Sequence, residues 1–306
     1  MSSWLISRIN SSNRATKGVY EFGSVFKTFT MAAAFNEKIF EPESEFINLP
    51  KSITCAGFPI SEYNKDIPSN LTLEQILVRS GNIGSVRIGQ KIGEEKFRSF
   101  LQKIGITGSI NFDIEEVGVP IKFNWGKCPL ATASFGHGIT TTLLQVVKAY
   151  SIITNGGYDV NPTLTKNDKV VEKKRILDDN VTKKILPILR KIVSTKDGTA
   201  KLANVDGYEI GGKTGTANKI IDGTYSNKKV NTFVSIFPTS KPKFVLAVML
   251  DESQNNKNYI YEYRDGSNFK LKGSPRNTAG WTTVEVTGHI IDMIGPILAT
   301  KYNEIN

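Results

Sequence analysis

The sequence predicts an α/β fold of the α+β kind, with an antiparallel sheet flanked by helices and a mostly helical lobe beside it. Three observations predict it. Helix-period apolar patterns with capping residues crowd the middle of the chain, from Thr72 to Val193. Two strand-like runs, Asn231 to Phe237 and Lys243 to Leu250, flank the short Pro238-Thr239-Ser240-Lys241-Pro242 turn, a hairpin signature. An amphipathic segment, Thr282 to Ile294, then reads as a terminal helix. This order places a helical lobe, roughly residues 40–195, between a first helix and the C-terminal strands.

The elements follow in turn. Residues 1–22 are polar, carry Arg8, Arg14 and Lys17, and read as a lead-in. Gly23 opens a turn, and the Ala-rich apolar run from Ser24 to about Asn36 reads as a buried helix. Pro42, Pro50, Pro59 and Pro68 mark residues 40–70 as an irregular excursion with short extended pieces. Thr72-Leu73-Glu74-Gln75 is a capping-box pattern, and the helix it opens ends at Ser80-Gly81-Asn82. Helices from Ile83 to Ile92 and from Glu94 to Ile104 follow, closed by Gly93 and Gly105. Residues 106–138 read as loop. Thr140 or Thr141 caps a helix to about Thr154, and Pro162-Thr163-Leu164 reads as extended. Asp178 or Asp179 opens a helix to about Val193, with a kink expected at Pro187. A Gly-rich segment from Gly211 leads to a polar turn region at 218–229 and then the hairpin; residues 251–278 read as a polar, tyrosine-containing loop.

Composition narrows the function classes. The chain has 306 residues, 39% of them hydrophobic, enough for one large domain or two lobes. Its net charge is +10, but the lysines are scattered with no dense basic-aromatic stripe. That argues against nucleic acid and suits an anionic envelope surface or polymer. Cys55 and Cys128 make no metal pattern and need not be paired. His137, in Phe135-Gly136-His137-Gly138, sits on a loop that could line a cleft, and His289 reads as packing; two histidines are too few for a His-based site. No metal and no cofactor are expected. No apolar run approaches the roughly 20 residues needed to span a bilayer, and Met1-Ser2-Ser3-Trp4-Leu5 shows no signal-peptide core.

Three short motifs carry the chemistry. Ser24 and Lys27 stand three apart at a helix start, on one face, so the amine can reach the hydroxyl. Serine is a poor nucleophile until a neighbour removes its proton, and lysine can do so if burial lowers its pKa. Ser80 and Asn82 occupy a tight connection between helices, where side chains point out at a ligand. Lys213-Thr214-Gly215 precedes the strands, with glycines that let a ligand approach the backbone. Each motif alone is common on ordinary helices and turns.

In this order, Ser-x-x-Lys, Ser-x-Asn and Lys-Thr-Gly form the signature of penicillin-recognising serine acyltransferases. The sequence resembles the transpeptidase domain of penicillin-binding proteins, of the class B, cell-division (FtsI-like) type, over about residues 14–298. The flanks Tyr20-Glu21-Phe22-Gly23-Ser24, Ser80-Gly81-Asn82-Ile83-Gly84, Phe135-Gly136-His137-Gly138-Ile139 and Thr278-Ala279-Gly280-Trp281 sharpen the resemblance. It implies the penicillin-binding/β-lactamase-like fold and acyl transfer between peptidoglycan stem peptides. By resemblance, Ser24 attacks a D-Ala-D-Ala carbonyl and Lys27 takes its proton. Ser80, with Lys213, relays a proton to the departing amine. Asn82 bonds the donor peptide and Lys27, while Thr214, Gly215 and Thr216 bind the substrate carboxylate. The backbone N–H groups of Ser24 and Thr216 hold the oxyanion. An amine acceptor completes transfer, water gives a carboxypeptidase product, and β-lactams acylate Ser24. Two nearby ammonium groups disfavour each other's protonation, which keeps one neutral near pH 7.

The sequence departs from the family pattern in two places. Phe22 stands where the family has proline. Only 23 residues precede Ser24, whereas the family has a membrane helix, a pedestal domain and the first sheet strands upstream. The expectation is therefore a single transpeptidase domain over 1–306, N-terminally truncated, with an exposed sheet edge. The longer protein would sit at the periplasmic face of the bacterial inner membrane, with divisome membrane proteins as partners. Two alternatives stand beside this. One is a non-catalytic penicillin sensor or divisome scaffold. The other is a serine β-lactamase, for whose deacylating base only Glu115 and Glu116 can be proposed.

Overall fold

The structure is a computed structural model that describes residues 13–166, 174–254, 256–273 and 276–302. The earlier part of the lead-in, Arg8 included, lies outside the described residues. In chain order the first elements are β1 (Val19–Tyr20), a 3-10 turn (Gly23–Val25) and α1 (Phe26–Asn36). Every residue of α1 from Phe26 to Phe35 is buried. This helix is the core's axis, because its run of small and aromatic side chains carries no polar face to present to water. Its hydroxyls are satisfied internally: Thr30 Oγ1 donates to the Ser134 carbonyl at 2.8 Å, and Tyr150 OH donates to Thr28 Oγ1 at 2.8 Å.

Short paired strands follow, β2 (Glu45–Phe46), β3 (Ser52–Cys55), β4 (Phe58–Ser61) and β5 (Leu71–Thr72), then α2 (Leu73–Val78), α3 (Asn82–Ile92) and α4 (Glu94–Lys103). The capping box forms as expected: Gln75 N–H donates to Thr72 Oγ1 at 3.2 Å, and Thr72 N–H donates to Gln75 Oε1 at 2.9 Å. Helices α3 and α4 pack on α1. The stretch expected to be loop over 106–138 contains a helix, α5 (Lys127–Ala133), and Cys128 within it is bonded to Cys55 in β3. The cysteines are thus paired, which their sequence separation of 73 gave no reason to expect.

Next come β6 (Thr141–Thr142), α6 (Leu143–Thr154) and α7 (Asp179–Ser194). The cap of α6 is Thr142 rather than Thr140 or Thr141, because Thr142 forms a second capping box with Gln145, while Thr141 pairs with Tyr20 of β1. Asp178 caps α7 through the Asn180 N–H at 3.0 Å, and the helix runs through Pro187.

The sheet has three antiparallel strands in the order β7 (Gly211–Ile221), β8 (Thr224–Phe237) and β9 (Phe244–Asp251). Residues 218–229 are not a turn region. They are the ends of β7 and β8, joined at Asp222 and Gly223, whose φ values of 51° and 75° give a two-residue hairpin turn. Of the lysines there Lys228 is exposed, while Lys219 and Lys229 are half-buried. Residues 251–278 also hold a small hairpin, β10 (Ile260–Glu262) with β11 (Lys270–Lys272). The terminal helix α8 (Thr283–Tyr302) packs on β8 and β9 and extends past Pro296, longer than its apolar pattern indicated. Helix α7 covers β7, so β7 lies between the helical lobe and the rest of the sheet.

Candidate active site

Ser24 sits at the centre of the 3-10 turn, and the packing of that turn depends on three glycines. Gly23 has φ 51°. A Cβ built there would lie 2.6 Å from the Thr216 carbonyl oxygen. On Gly215 a Cβ would lie 2.1 Å from the Phe22 carbonyl oxygen, and on Gly136 it would lie 1.9 Å from that of Gly23. Backbone thus meets backbone on both sides: β7 lies against one face of the turn and the Phe135–Gly138 loop against the other. Phe22 is buried and packs edge-on to Tyr20.

Lys27, one turn on in α1, is fully buried. Its Nζ donates to Asn82 Oδ1 at 2.7 Å, to the Ser80 carbonyl at 2.5 Å and to Ser80 Oγ at 3.2 Å. Ser80 lies between α2 and α3 with φ 59°, a left-handed conformation that a serine holds only where its surroundings demand it. There its Oγ accepts a second bond, from Lys213 Nζ at 2.9 Å. One hydroxyl therefore bridges two buried amines that stand 186 residues apart in sequence (213 − 27).

Asn82 begins α3 and donates from Nδ2 to the Ser61 carbonyl at 2.7 Å. Thr214 is partnered with Thr199, Oγ1 to Oγ1 2.8 Å. Thr216 Oγ1 donates to Asn231 Oδ1 at 3.0 Å and accepts from the Ala279 N–H at 3.0 Å. Ser24, Ser80, Thr214 and Thr216 line one cleft of about 590 Å³, with Tyr63, Lys229 and Trp281 also on its walls.

Burial sets the electrostatics. Desolvation lowers the pKa of Lys27 to about 7, opposed by the negative charge of Glu62. Lys213 is held well below the ordinary lysine value, by burial first and then by the like charge of Lys27.

The expected contact between Lys27 and Ser24 is not made. Among the described residues the Ser24 hydroxyl has no hydrogen-bond partner, because Asn82 and Ser80 take the amine. Bonds of this kind commonly tighten only around a bound substrate. His137 does not line the cleft: it stacks on Tyr225 with ring centroids 4.7 Å apart, 3.8 Å from Glu21. Nor do Glu115 and Glu116, both exposed, reach the cleft. His289 is not core packing: its side chain is 47% exposed, 3.1 Å from Glu285.

The family model described as "Penicillin binding protein transpeptidase domain" matches residues 5–266. The chain belongs to the penicillin-binding protein transpeptidase family.

Relatives agree with that membership. The chain is 30% identical to a Neisseria flavescens protein named probable peptidoglycan D,D-transpeptidase PenA, over 81% of this chain and 62% of that one. It is 28% identical to the probable peptidoglycan D,D-transpeptidase FtsI of Caulobacter vibrioides, over 94% of this chain and 48% of that one. The chain thus spans about half the length of the curated relatives it matches. In fold it is similar to the TP domain of Burkholderia pseudomallei penicillin-binding protein 3, with TM-score 0.79 and 24% identity, covering 93% of this chain and 82% of that one.

Within this penicillin-binding transpeptidase domain, one acidic residue escaped the sequence reading. Glu62 follows β4 and accepts from the Asn82 and Ile83 N–H groups at 2.7 and 3.0 Å. It caps α3, whose own N-cap residue, Gly81, has no side chain to do so. Nothing local marks it, since its partner lies twenty residues on and only the tertiary fold joins them.

Proposed function

We propose that this chain is a serine D,D-transpeptidase acting on peptidoglycan stem peptides that end in D-Ala-D-Ala, and a covalent target of β-lactams. The observation that carries this is the Ser80 hydroxyl held between the Lys27 and Lys213 amines, in the cleft that Ser24 lines.

The mechanism follows from the charges. With a pKa near 7, Lys27 is substantially neutral at physiological pH and accepts the Ser24 proton as Oγ attacks the penultimate D-Ala carbonyl. The Ser24 and Thr216 N–H groups are the proposed oxyanion donors, and fixed donors of this kind are worth about 3–4 kcal/mol each. As the C–N bond breaks, Ser80 gives its proton to the departing D-Ala nitrogen and is resupplied from the lysines on its other side. Thr214 and Thr216, beside Gly215 and Lys213, take the terminal carboxylate. An amine of a second stem peptide then attacks the ester and regenerates Ser24.

The names of the relatives, probable peptidoglycan D,D-transpeptidases, support peptidoglycan synthesis; a septal role with divisome membrane proteins as partners is proposed from the cell-division-type motif flanks. The Cys55–Cys128 disulfide supports an oxidising compartment, as the periplasmic face of the inner membrane is. No described helix is long and apolar enough to cross a membrane. The proposed domain assignment is a single catalytic domain over the whole chain.

Incubation with a fluorescent penicillin tests this reading. Stable labelling lost in Ser24→Ala is expected, and a stem-peptide donor should become cross-linked to an amine acceptor. Unlabelled wild-type protein rejects the reading. Labelling without cross-linking indicates a penicillin sensor, and rapid drug turnover a β-lactamase.

A further inference from the structure

The start of α3 carries Asn82, yet what fixes it comes from elsewhere in the chain. Ser61 and Glu62, leaving β4, hold it twice: the Ser61 carbonyl takes the Asn82 side-chain amide at 2.7 Å, and the Glu62 carboxylate takes the Asn82 and Ile83 N–H groups at 2.7 and 3.0 Å. Asn82 is thereby oriented with Oδ1 toward Lys27 Nζ, 2.7 Å away. A carboxylate that caps a helix also adds its own charge to the site, and Lys27 feels that charge through the buried interior.

We propose that Glu62 is a positioning residue for acyl transfer at this site: its carboxylate clamps the start of α3 so that Asn82 holds Lys27, and its negative charge favours the protonated Lys27 amine against burial. This rests on the reading of Lys27 as the base. Burial drives Lys27 toward the neutral form, and a base pushed too far that way accepts a proton weakly. Glu62 is the opposing charge. The other charged or titratable groups near the pair are Tyr63, which faces Glu62, with Arg79 and Arg276 beside it; Arg79 is tied to Asp197 at 2.8 Å. All of these stay in place in the variants below.

The test is the pH dependence of Ser24 acylation by a fluorescent penicillin, together with an NMR titration of the Lys27 amine in lysine-labelled protein. The Lys27 signal is identified by its loss in Lys27→Met. Glu62→Gln removes the charge but keeps an acceptor for α3. Its acid limb and its Lys27 titration should both move down by about one pH unit. Its rate at pH 6, as a fraction of its own rate at pH 9, should rise about fivefold, while the pH 9 rate itself falls severalfold. Glu62→Ala also frees the two N–H groups, so its rate should drop tenfold or more at every pH, with the limb displaced the same way.

Limbs and Lys27 titrations coincident with the wild type in both variants overturn the proposal, since a purely structural cap changes rate without moving either. Should Glu62→Gln show no cooperative melting, Glu62→Asp decides: its shorter arm draws the charge back, and an unmoved Lys27 titration there overturns the proposal as well. If wild-type protein leaves Ser24 unlabelled, the transpeptidase reading fails separately, and the NMR titration still decides the coupling.

Discussion

Lys27 and Lys213 are each fully buried, and each ammonium would be better solvated in water. Their pKa values are lowered in the folded chain, Lys27 to about 7. The unfolded chain therefore binds protons that the folded chain does not, from pH 7 up to the ordinary lysine value. Stability must rise with pH across that window. The slope reaches at most about 1.4 kcal/mol per pH unit for each lysine. Urea unfolding at pH 7, 8 and 9 should show the rise, and Lys27→Met should make it shallower; a flat or falling profile contradicts the burial argument. The sequence singled these residues out through the family resemblance, because Ser-x-x-Lys, Ser-x-Asn and Lys-Thr-Gly occur together in that order. One expected contact, Lys27 with Ser24, is not made. A three-residue spacing allows Lys27 to meet Ser24, but the amine goes instead to Asn82, the contact the resemblance implied, and to Ser80, from α3 and its approach. Ser80→Ala removes the bridge between the amines, and acylation should fall by about 10²–10⁴ if that hydroxyl relays the proton.

At the scale of elements, the decisive contact is strand against turn. β7 reaches the nucleophile turn only because Gly215 has no side chain, and a methyl there would strike the Phe22 carbonyl at 2.1 Å. Gly136 makes the same kind of contact with Gly23 from the opposite face, and its φ of 85° penalises any side chain besides. Overpacking of this sort costs about 1–3 kcal/mol, and it displaces the atoms around Ser24. Gly215→Ala and Gly136→Ala should each lower the melting temperature and slow penicillin labelling at least tenfold. Gly57→Ala, with φ 82° but nothing within 4 Å, should carry only the conformational cost and label normally. Equal effects in Gly136→Ala and Gly57→Ala would mean that backbone strain, not steric contact, is at work at Gly136. Capped helices were the most legible elements: the Thr72 and Asp178 starts and the Gly93 stop stand where side-chain chemistry puts them. The long hairpin of β7 and β8 was missed, although Asp222-Gly223 is a strong turn signal, because the polar residues around it hide the strand alternation. Helix α5 was missed because seven residues are too few to establish a period.

The whole molecule brings together a helix start near residue 24, a turn near 80 and a strand near 213, and the order of the motifs could state that convergence but not its supports. One support is the disulfide between β3 and α5. It closes a loop of 73 residues with Cα atoms 5.6 Å apart, and by chain entropy alone such a closure is worth about 4 kcal/mol. Reduction, or the double replacement Cys55→Ser with Cys128→Ser, should therefore lower the melting temperature by about 6 °C. The effect should not stop at stability. β3 and β4 form one hairpin, and the chain leaves it directly into Ser61 and Glu62, the two residues that hold Asn82. A hairpin released from α5 gives that hold more freedom, so acylation should slow even at 20 °C, where the reduced protein is still folded. Thermal melts and labelling rates with and without reductant separate the two effects. An unchanged melting temperature would refute the bridge as a support of the fold. A lowered one with undiminished labelling would mean that β4 holds its place beside α3 without it.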